Sequence, residues 1–150
     1  MQQMIRTKKF LLTDDDRDDR EMFSEALASI APDVVYHWAA DGRHALQLLA
    51  SNDKPDILFL DINMPVMNGW ELLNKLKKDN NYNDIPVIIY STSSEQRDKE
   101  IAKDLGALCF VTKPDNFRLM KSILKAVVDN LDKNSLDSLC ADIENILHKQ

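Results

Sequence analysis

The chain has 150 residues, of which 44% are hydrophobic and 29% are charged, and its formal net charge at pH 7 is −6. This length suits one compact domain with its own core and is too short for two domains of ordinary size. The acidic surface provides no long-range attraction to nucleic acid or to anionic lipid. No apolar stretch approaches the roughly 18 residues of a membrane-spanning helix, and the first nine residues lack the apolar segment of a signal peptide. We therefore expect a cytoplasmic protein that binds neither nucleic acid nor membranes.

Short apolar runs alternate with amphipathic segments along the chain, which is typical of βα units and of a parallel sheet. Five of these runs predict strands, at Lys9–Thr13, Val34–Trp38, Ile57–Leu60, Val87–Tyr90 and Leu108–Thr112. The first, third and fourth runs are continuously apolar, as in strands that helices cover on both faces. The pattern therefore predicts an α/β domain with a core on each side of its sheet.

Six amphipathic segments with a period of about 3.6 residues predict helices, at about residues 16–30, 42–49, 70–78, 95–105, 115–131 and 136–147. The sixth follows the five βα units and has no strand after it. Its apolar stripe needs burial, against its own domain, as an extension of the fifth helix, or in a homodimer. We divide the chain into an N-terminal extension over 1–7, a domain over 8–131 and a C-terminal helical extension over 132–150.

The two cysteines are far apart in the sequence. Cys109 falls in the fifth predicted strand and Cys140 in the last predicted helix, without a CxxC pattern or a cluster of cysteine and histidine. This spacing suggests neither a disulfide framework nor a zinc site. We expect both side chains to be buried free thiols.

Polar side chains follow four of the predicted strands, at the point where each strand ends. Asp14 and Asp15 follow the first strand, Asp61 the third, Ser91 the fourth and Lys113 the fifth. In an open parallel sheet, ligands bind beyond the carboxyl ends of the strands, so these side chains should meet in one pocket. Three carboxylates in one pocket repel each other, and a hard cation with oxygen ligands relieves that repulsion; Mg²⁺ fits best.

With such a cation, one carboxylate can act as a nucleophile toward phosphorus, while Lys113 and Ser91 share the charge of the transferring group. Asp61 is the best candidate, because it directly follows the apolar run Ile57–Leu60 and is followed by turn-forming residues. Taken singly, the other residues have simpler interpretations as helix caps, a polar loop and a solvated turn. Three further acidic residues are expected only to cap the first helix and to interact with its dipole: Asp16, Asp18 and Asp19.

Four segments in this order resemble the receiver domain of two-component response regulators: residues 11–16, residues 55–65 with Asn68 and Gly69, residues 86–91, and residues 106–114. The resemblance covers about residues 8–131. It implies a flavodoxin-like fold, a doubly wound five-stranded parallel sheet in the order 2-1-3-4-5, to which the C-terminal helix is an addition.

The resemblance also implies roles for the acidic residues. Asp61 would be the phosphoacceptor and a ligand of Mg²⁺. Asp15 would bind the cation directly, and Asp14 mainly through water. The backbone carbonyl of Asn63 would be a further ligand.

Four further residues receive implied roles on the other side of the pocket. Lys113 would contact the phosphoryl group and would be joined to Pro114 by a cis peptide bond, which proline tolerates. Ser91, in place of the frequent threonine, would be the switch hydroxyl. Phe110, in place of the frequent tyrosine, would be the coupled aromatic residue, although it is equally compatible with an ordinary core position.

The resulting hypothesis is a single-domain receiver that takes phosphoryl from a sensor histidine kinase or a phosphotransfer protein. It would signal to another protein through the surface of the fourth helix, fifth strand and fifth helix, without enzymatic activity beyond its own phosphorylation and dephosphorylation. One alternative is a Mg²⁺-dependent phosphohydrolase with an aspartate nucleophile, but such enzymes need a second carboxylate where this chain has Asn63. The other is a binding module whose pocket is not phosphorylated.

Overall fold

The computed structural model describes residues 7–149, and strands alternate with helices through most of that range. In chain order, the elements are β1 (Lys9–Thr13), α1 (Arg17–Ile30), β2 (Val35–Ala39), α2 (Gly42–Ser51), β3 (Ile57–Leu60), α3 (Gly69–Lys78), β4 (Val87–Ser91), α4 (Gln96–Asp104), β5 (Cys109–Thr112), α5 (Phe117–Asp132), a 3₁₀ turn (Leu136–Ser138) and α6 (Leu139–His148). The predicted elements are all present, within a few residues of their predicted bounds. The predicted N-terminal extension, apart from Thr7, lies outside the described residues.

The five strands form one parallel sheet in the order β2-β1-β3-β4-β5, which confirms the predicted topology. All four side chains of β3, at the centre of the sheet, are buried. Alternate residues of that strand face opposite layers of helices, and this explains why the run is continuously apolar. No helix within residues 7–149 is both long and apolar enough to cross a membrane.

The core has two layers, one on each face of the sheet. Phe10, Phe59 and Tyr90 pack in the layer that contains α1, α5 and α6. Leu58 and Ile89 pack in the layer beneath α2, α3 and α4. Because a strand turns successive side chains to opposite faces, the same five strands supply both layers, and their carboxyl ends remain free to carry polar groups.

An amide or carboxylate side chain caps four of the helices that begin at the carboxyl edge of the sheet, and three of these, α1, α3 and α5, follow strands that end at predicted site residues. Asp16 accepts a hydrogen bond from the backbone N–H of the third residue after it, at 3.0 Å, and starts α1. Asn68 starts α3 within a reciprocal capping box, and Asn116 starts α5. These caps fix where the loops after β1, β3 and β5 end, so the polar residues in those loops are held against the sheet.

The C-terminal helix α6 packs on its own domain, against α5 and β5. Leu139 and Ile143 on its inner face are completely or almost completely buried. Of the three predicted locations for its apolar stripe, the structure shows this one. A homodimer and the division of the chain at residue 131 stay predictions.

The expectation of two free thiols is wrong. Cys109 in β5 and Cys140 in α6 form a disulfide bond, with their Cα atoms 5.6 Å apart. The two residues are separated by 31 positions in the chain. They meet only because α6 folds back over the edge strand β5, so no local spacing pattern could reveal the pair.

Candidate functional site

The predicted polar residues lie together at the carboxyl edge of the sheet, because the backbones of neighbouring strands are in register there. The N–H of Asp61 donates to the carbonyl of Thr13, at 2.9 Å, which sets the end of β3 beside the end of β1. The N–H of Lys113 donates to the carbonyl of Ser91, at 2.7 Å, which does the same for β5 and β4. Four separate segments of the sequence thus converge on one site.

Three carboxylates form the acidic centre of this site. One oxygen from each of Asp14, Asp15 and Asp61 lies within 4.8 Å of the other two. Asp14 is fully buried and Asp61 is 5% exposed, whereas Asp15 is open to solvent. Oxygen ligands with one open side suit a hard divalent cation that retains part of its water shell. The chemistry of these donors therefore fits a divalent metal ion.

Asn63 stands on the rim of the acidic centre and is exposed. Its backbone N–H donates to Oδ1 of Asp61, at 3.3 Å, so the chain turns closely around this carboxylate. A backbone carbonyl in such a turn is an ordinary ligand for a hard cation.

The loop between β3 and α3 keeps Asp61 in place. A side chain at Gly69 would collide with the carbonyl oxygen of Asp61, so only glycine lets α3 begin this close to β3. Before Gly69, the chain turns sharply at Val66, which has a φ of 66°. There the N–H of Met67 donates to the carbonyl of Pro65, at 2.7 Å, in the manner of a γ-turn.

Lys113 places its ammonium group among the carboxylates. Its Nζ lies 2.8 Å from Oδ2 of Asp14 and 3.4 Å from Oδ2 of Asp61. The contact with Asp14 is an ion pair without hydrogen-bond geometry, and this oxygen accepts no hydrogen bond from the part of the chain that the structure describes. The Lys113 side chain is only 8% exposed, so its charge acts where solvent screens it poorly.

Asp19 is a member of the site that the sequence did not predict. Its Oδ2 lies 2.7 Å from Nζ of Lys113, the shortest of the three carboxylate contacts of that lysine. The sequence predicts for Asp19 only a role in capping the first helix and interacting with its dipole. Asp19 does lie in the first turn of α1, but α1 packs against α5, and this brings its carboxylate to Lys113 in the loop between β5 and α5. The only signal in the sequence for this contact is the short spacing between Asp14 and Asp19, which keeps Asp19 in the first turn of α1, near the end of β1.

Burial and mutual repulsion shift the pKa values of these groups. Burial, assisted by the charge of Asp14 and opposed by that of Lys113, raises the pKa of Asp61 to about 6. Burial likewise raises the pKa of Asp14. Burial by itself lowers the pKa of Lys113, but the close carboxylates of Asp14 and Asp19 outweigh it and raise that pKa above its ordinary value. A poorly solvated carboxylate thus lies beside a firmly charged ammonium group.

Ser91 is fully buried at the end of β4. Its Oγ accepts a hydrogen bond from the N–H of Ser93, at 3.2 Å. The carbonyl of Ser93 accepts a hydrogen bond from Oγ1 of Thr112 at 2.9 Å, and the hydroxyl of Ser93 donates to Asp98 of α4 at 2.6 Å. The loop after β4 is therefore tied to the site, to β5 and to α4.

The two remaining predicted residues, Phe110 and Pro114, lie close to Lys113 in the sequence. Phe110 is half-buried and packs against the core layer beneath α2, α3 and α4. Among the described residues no peptide bond is cis, so the bond between Lys113 and Pro114 is trans, contrary to the expectation. The trans form of such a bond is lower in energy by about 0.5–1 kcal/mol, and Lys113 reaches the carboxylates from it.

Arg20 connects the site to an exposed tryptophan. Its Nη1 donates to the carbonyl of Asp14, at 2.9 Å, and its guanidinium group lies 4.1 Å from the ring centre of Trp38. The Trp38 side chain is 43% exposed. Changes at Asp14 should therefore alter the fluorescence of Trp38.

Comparison with known proteins gives a consistent family. The family model described as "Response regulator receiver domain" matches residues 10–125. A chemotaxis protein CheY homolog of Campylobacter jejuni is 31% identical over 120 residues, which cover 80% of this chain and 92% of that protein. The chain spans only about half of other relatives, such as 52% of the probable transcriptional regulator ycf27 of Porphyridium aerugineum, which is 28% identical.

Solved structures with the same fold include response regulators. The phosphorylated cyanobacterial phytochrome response regulator RcpA has a TM-score of 0.78 and 30% identity, and the match covers 86% of this chain and 96% of that one. The Mn²⁺-bound form of the response regulator Rcp1 has a TM-score of 0.71 and 27% identity, over 77% of this chain and 91% of that one. Together with the matched residues, these similarities show that the chain belongs to the response regulator receiver domain family.

Proposed function

We propose that Asp61 accepts a phosphoryl group from a sensor histidine kinase or a phosphotransfer protein in the cytoplasm, and that Mg²⁺ assists the transfer. The observation that supports this most is the environment of Asp61. It is a buried carboxylate with a pKa raised to about 6, in contact with the buried ammonium group of Lys113 and close to two further carboxylates. A buried carboxylate of this kind is a better nucleophile than a solvated one.

Asp14, Asp15 and Asp61, with the backbone carbonyl of Asn63, would hold the cation. When bound, Mg²⁺ would neutralise negative charge on these carboxylates and on the phosphoryl oxygens. A carboxylate oxygen of Asp61 forms a bond to phosphorus while the bond from phosphorus to the donor nitrogen of phosphohistidine breaks. The ammonium group of Lys113 then pairs with a phosphoryl oxygen in place of a carboxylate.

The signal would pass from the site through Ser91. Its hydroxyl oxygen accepts one hydrogen bond, from Ser93, and its own proton remains available for a phosphoryl oxygen. A movement of Ser91 displaces Ser93, which is bonded to both Thr112 of β5 and Asp98 of α4. Through this route, phosphorylation would change which conformation of the surface formed by α4, β5 and α5 is most populated. A downstream protein would recognise the conformation that phosphorylation favours.

A phosphohydrolase is the less suitable interpretation of the same site. Asn63 occupies the position two residues after the nucleophile, and an amide can neither donate nor accept the proton that such an enzyme transfers there. We therefore propose a phosphorylated signalling domain without turnover of a substrate.

Beryllofluoride, which mimics a phosphoryl group on a carboxylate, tests the proposed function. With Mg²⁺ present, it should slow hydrogen exchange in the loop after β4 and in β5, because Ser91 and Lys113 gain partners. The same treatment should leave the Asp61→Asn variant unchanged. Equal responses of the wild type and this variant, or no response of the wild type, would contradict the proposal.

Asp19→Asn should speed the uptake of phosphoryl from a small donor such as acetyl phosphate. The substitution removes the closest partner of Lys113 and one negative charge that repels the donor. The expected acceleration is about fivefold, since a unit charge near the surface contributes about 1 kcal/mol at this range. The matched control is Asp18→Asn, which removes an exposed charge one position away and should change the rate little. An Asp19→Asn rate at or below that of the control would show that Asp19 does not hold Lys113 back.

A further inference from the structure

Helix α6 covers part of the surface through which the proposed signal leaves the domain. β5 is an edge strand with β4 as its neighbour in the sheet, and α6 packs against β5 and against α5. The disulfide between Cys109 and Cys140 fastens α6 to β5, one residue before Phe110. The disulfide therefore joins β5, part of the proposed signalling surface, covalently to α6, the helix that covers it.

An open cavity of about 230 Å³ reaches this disulfide between α4, β5 and α6. Both cysteines line it, together with Phe110 of β5, Lys99 of α4 and His148 at the end of α6. Cys140 is half-exposed, whereas Cys109 is only 7% exposed. Of the two bonded residues, Cys140 is therefore the more accessible to a thiol that enters the cavity.

We propose that the disulfide between Cys109 and Cys140 is a thiol-exchange site, and that its reduction by a cellular dithiol releases α6 from β5 and α5. The inference rests on the proposed function, because the surface that α6 covers is the one assigned to the downstream protein. In the cytoplasm, where we place this protein, disulfides are mostly transient and redox-sensing rather than structural.

The exchange balances as two displacements. A thiolate of the dithiol attacks Sγ of Cys140, the bond to Sγ of Cys109 breaks, and Cys109 leaves as a thiolate that takes up a proton. The second thiol of the reagent then displaces Cys140 from the mixed disulfide. Two protein thiols are formed, and the dithiol is oxidised to its own disulfide.

The remaining contacts of α6 would hold it less firmly than the disulfide does. Leu139 and Ile143 are buried, and Asn130 of α5 donates from Nδ2 to Asp142 at 3.1 Å. Oδ1 of Asn130 accepts a hydrogen bond at 3.0 Å from the hydroxyl of Ser138. Ile146 and Leu147 near the end of the helix are only partly buried against the core, so loss of the covalent link across 31 residues should weaken the attachment of the whole helix. Loss of a link of this length should favour opening by roughly 30-fold or more.

The test compares hydrogen exchange of the full chain with and without dithiothreitol, in the absence of Mg²⁺ and of any phosphoryl donor. Reduction should expose two thiols to a thiol reagent and accelerate exchange in α6 by roughly 30-fold. Exchange in the central strand β3 should stay unchanged, which shows that the domain remains folded. In the Cys140→Ser variant, exchange in α6 should be fast with or without dithiothreitol.

Two results would overturn the inference: no free thiols after treatment of the folded protein, or equal exchange of α6 in its oxidised and reduced forms. The hydrogen-exchange test uses no phosphoryl donor, so its result does not depend on whether Asp61 is phosphorylated. The Asp61→Asn variant cannot take up phosphoryl at that residue but should show the same response of α6 to dithiothreitol. A wild type that responds to dithiothreitol but takes up no phosphoryl would contradict the proposed function alone.

Discussion

Asp61→Asn should make the metal-free protein more stable at neutral pH. The wild-type carboxylate is buried close to Asp14, and the resulting rise of its pKa to about 6 measures the cost of its charge in the folded state. The ordinary pKa of an aspartate is about 4, so the amide should raise the free energy of unfolding by about 1–3 kcal/mol. A protein that keeps a destabilising group at this position does so for its chemistry.

The gain from this substitution should depend on pH. Because the pKa of Asp61 is higher in the folded state, the folded protein binds more protons than the unfolded chain between about pH 4 and pH 6. The contribution of Asp61 to stability is therefore greatest below this window and is lost as the pH rises through it. Denaturant unfolding without metal should show the gain of Asp61→Asn at neutral pH and little gain at about pH 4.

Asp18→Asn is the control for a change of net charge, since Asp18 is exposed. It should alter stability by less than about 0.5 kcal/mol. Added Mg²⁺ should then stabilise the wild type more than Asp61→Asn, because the variant has lost one ligand. An Asp61→Asn protein that is less stable than the wild type at neutral pH would contradict this account of the site.

Lys113→Met should destabilise the protein, and by more than Asp61→Asn stabilises it. Methionine fills similar space but leaves the carboxylates of Asp14 and Asp61 buried without their ammonium partner. Removing one member of a buried ion pair typically costs about 3–5 kcal/mol. The loss should show in denaturant unfolding at neutral pH, and uptake of phosphoryl should fall with it.

Lys125→Met is the matched control, because Lys125 forms an ion pair with Asp129 on the solvent side of α5 and is 65% exposed. This substitution should lower the free energy of unfolding by less than about 0.5 kcal/mol. Asp14→Asn should restore part of the stability of Lys113→Met, since it removes a charge that has lost its partner. If Lys113→Met cost no more than the control, the lysine would not be the counter-charge of this site.

Much of the fold follows from local patterns in the sequence. The run Ile57–Leu60 predicts a strand buried on both faces, and the structure buries all four of its side chains. In an open parallel sheet, the carboxyl ends of all strands lie at the same edge. The position of Asp61 at that edge therefore follows from the same pattern. The order of the strands, in contrast, came from the resemblance to a family and not from periodicity.

The features that the sequence did not predict all depend on how elements pack against one another. Asp19 caps no helix and contacts Lys113, a residue 94 positions away, because α1 packs against α5 and Lys113 lies in the loop that leads into α5. Cys109 and Cys140 pair only once α6 has folded over the edge strand. The isomer of the bond before Pro114 likewise depends on the surrounding structure, since the intrinsic difference between the two forms is only about 0.5–1 kcal/mol.

Transfer of the phosphoryl group to Asp61 is tested most directly by locating the modified residue chemically. The full chain is treated with acetyl phosphate and Mg²⁺, and borohydride then reduces any aspartyl phosphate to homoserine. Mass spectrometry of the digested protein should find this conversion at Asp61 in the wild type and nowhere in the Asp61→Asn variant. Conversion at a different aspartate of the wild type, or none at all, would contradict the claim.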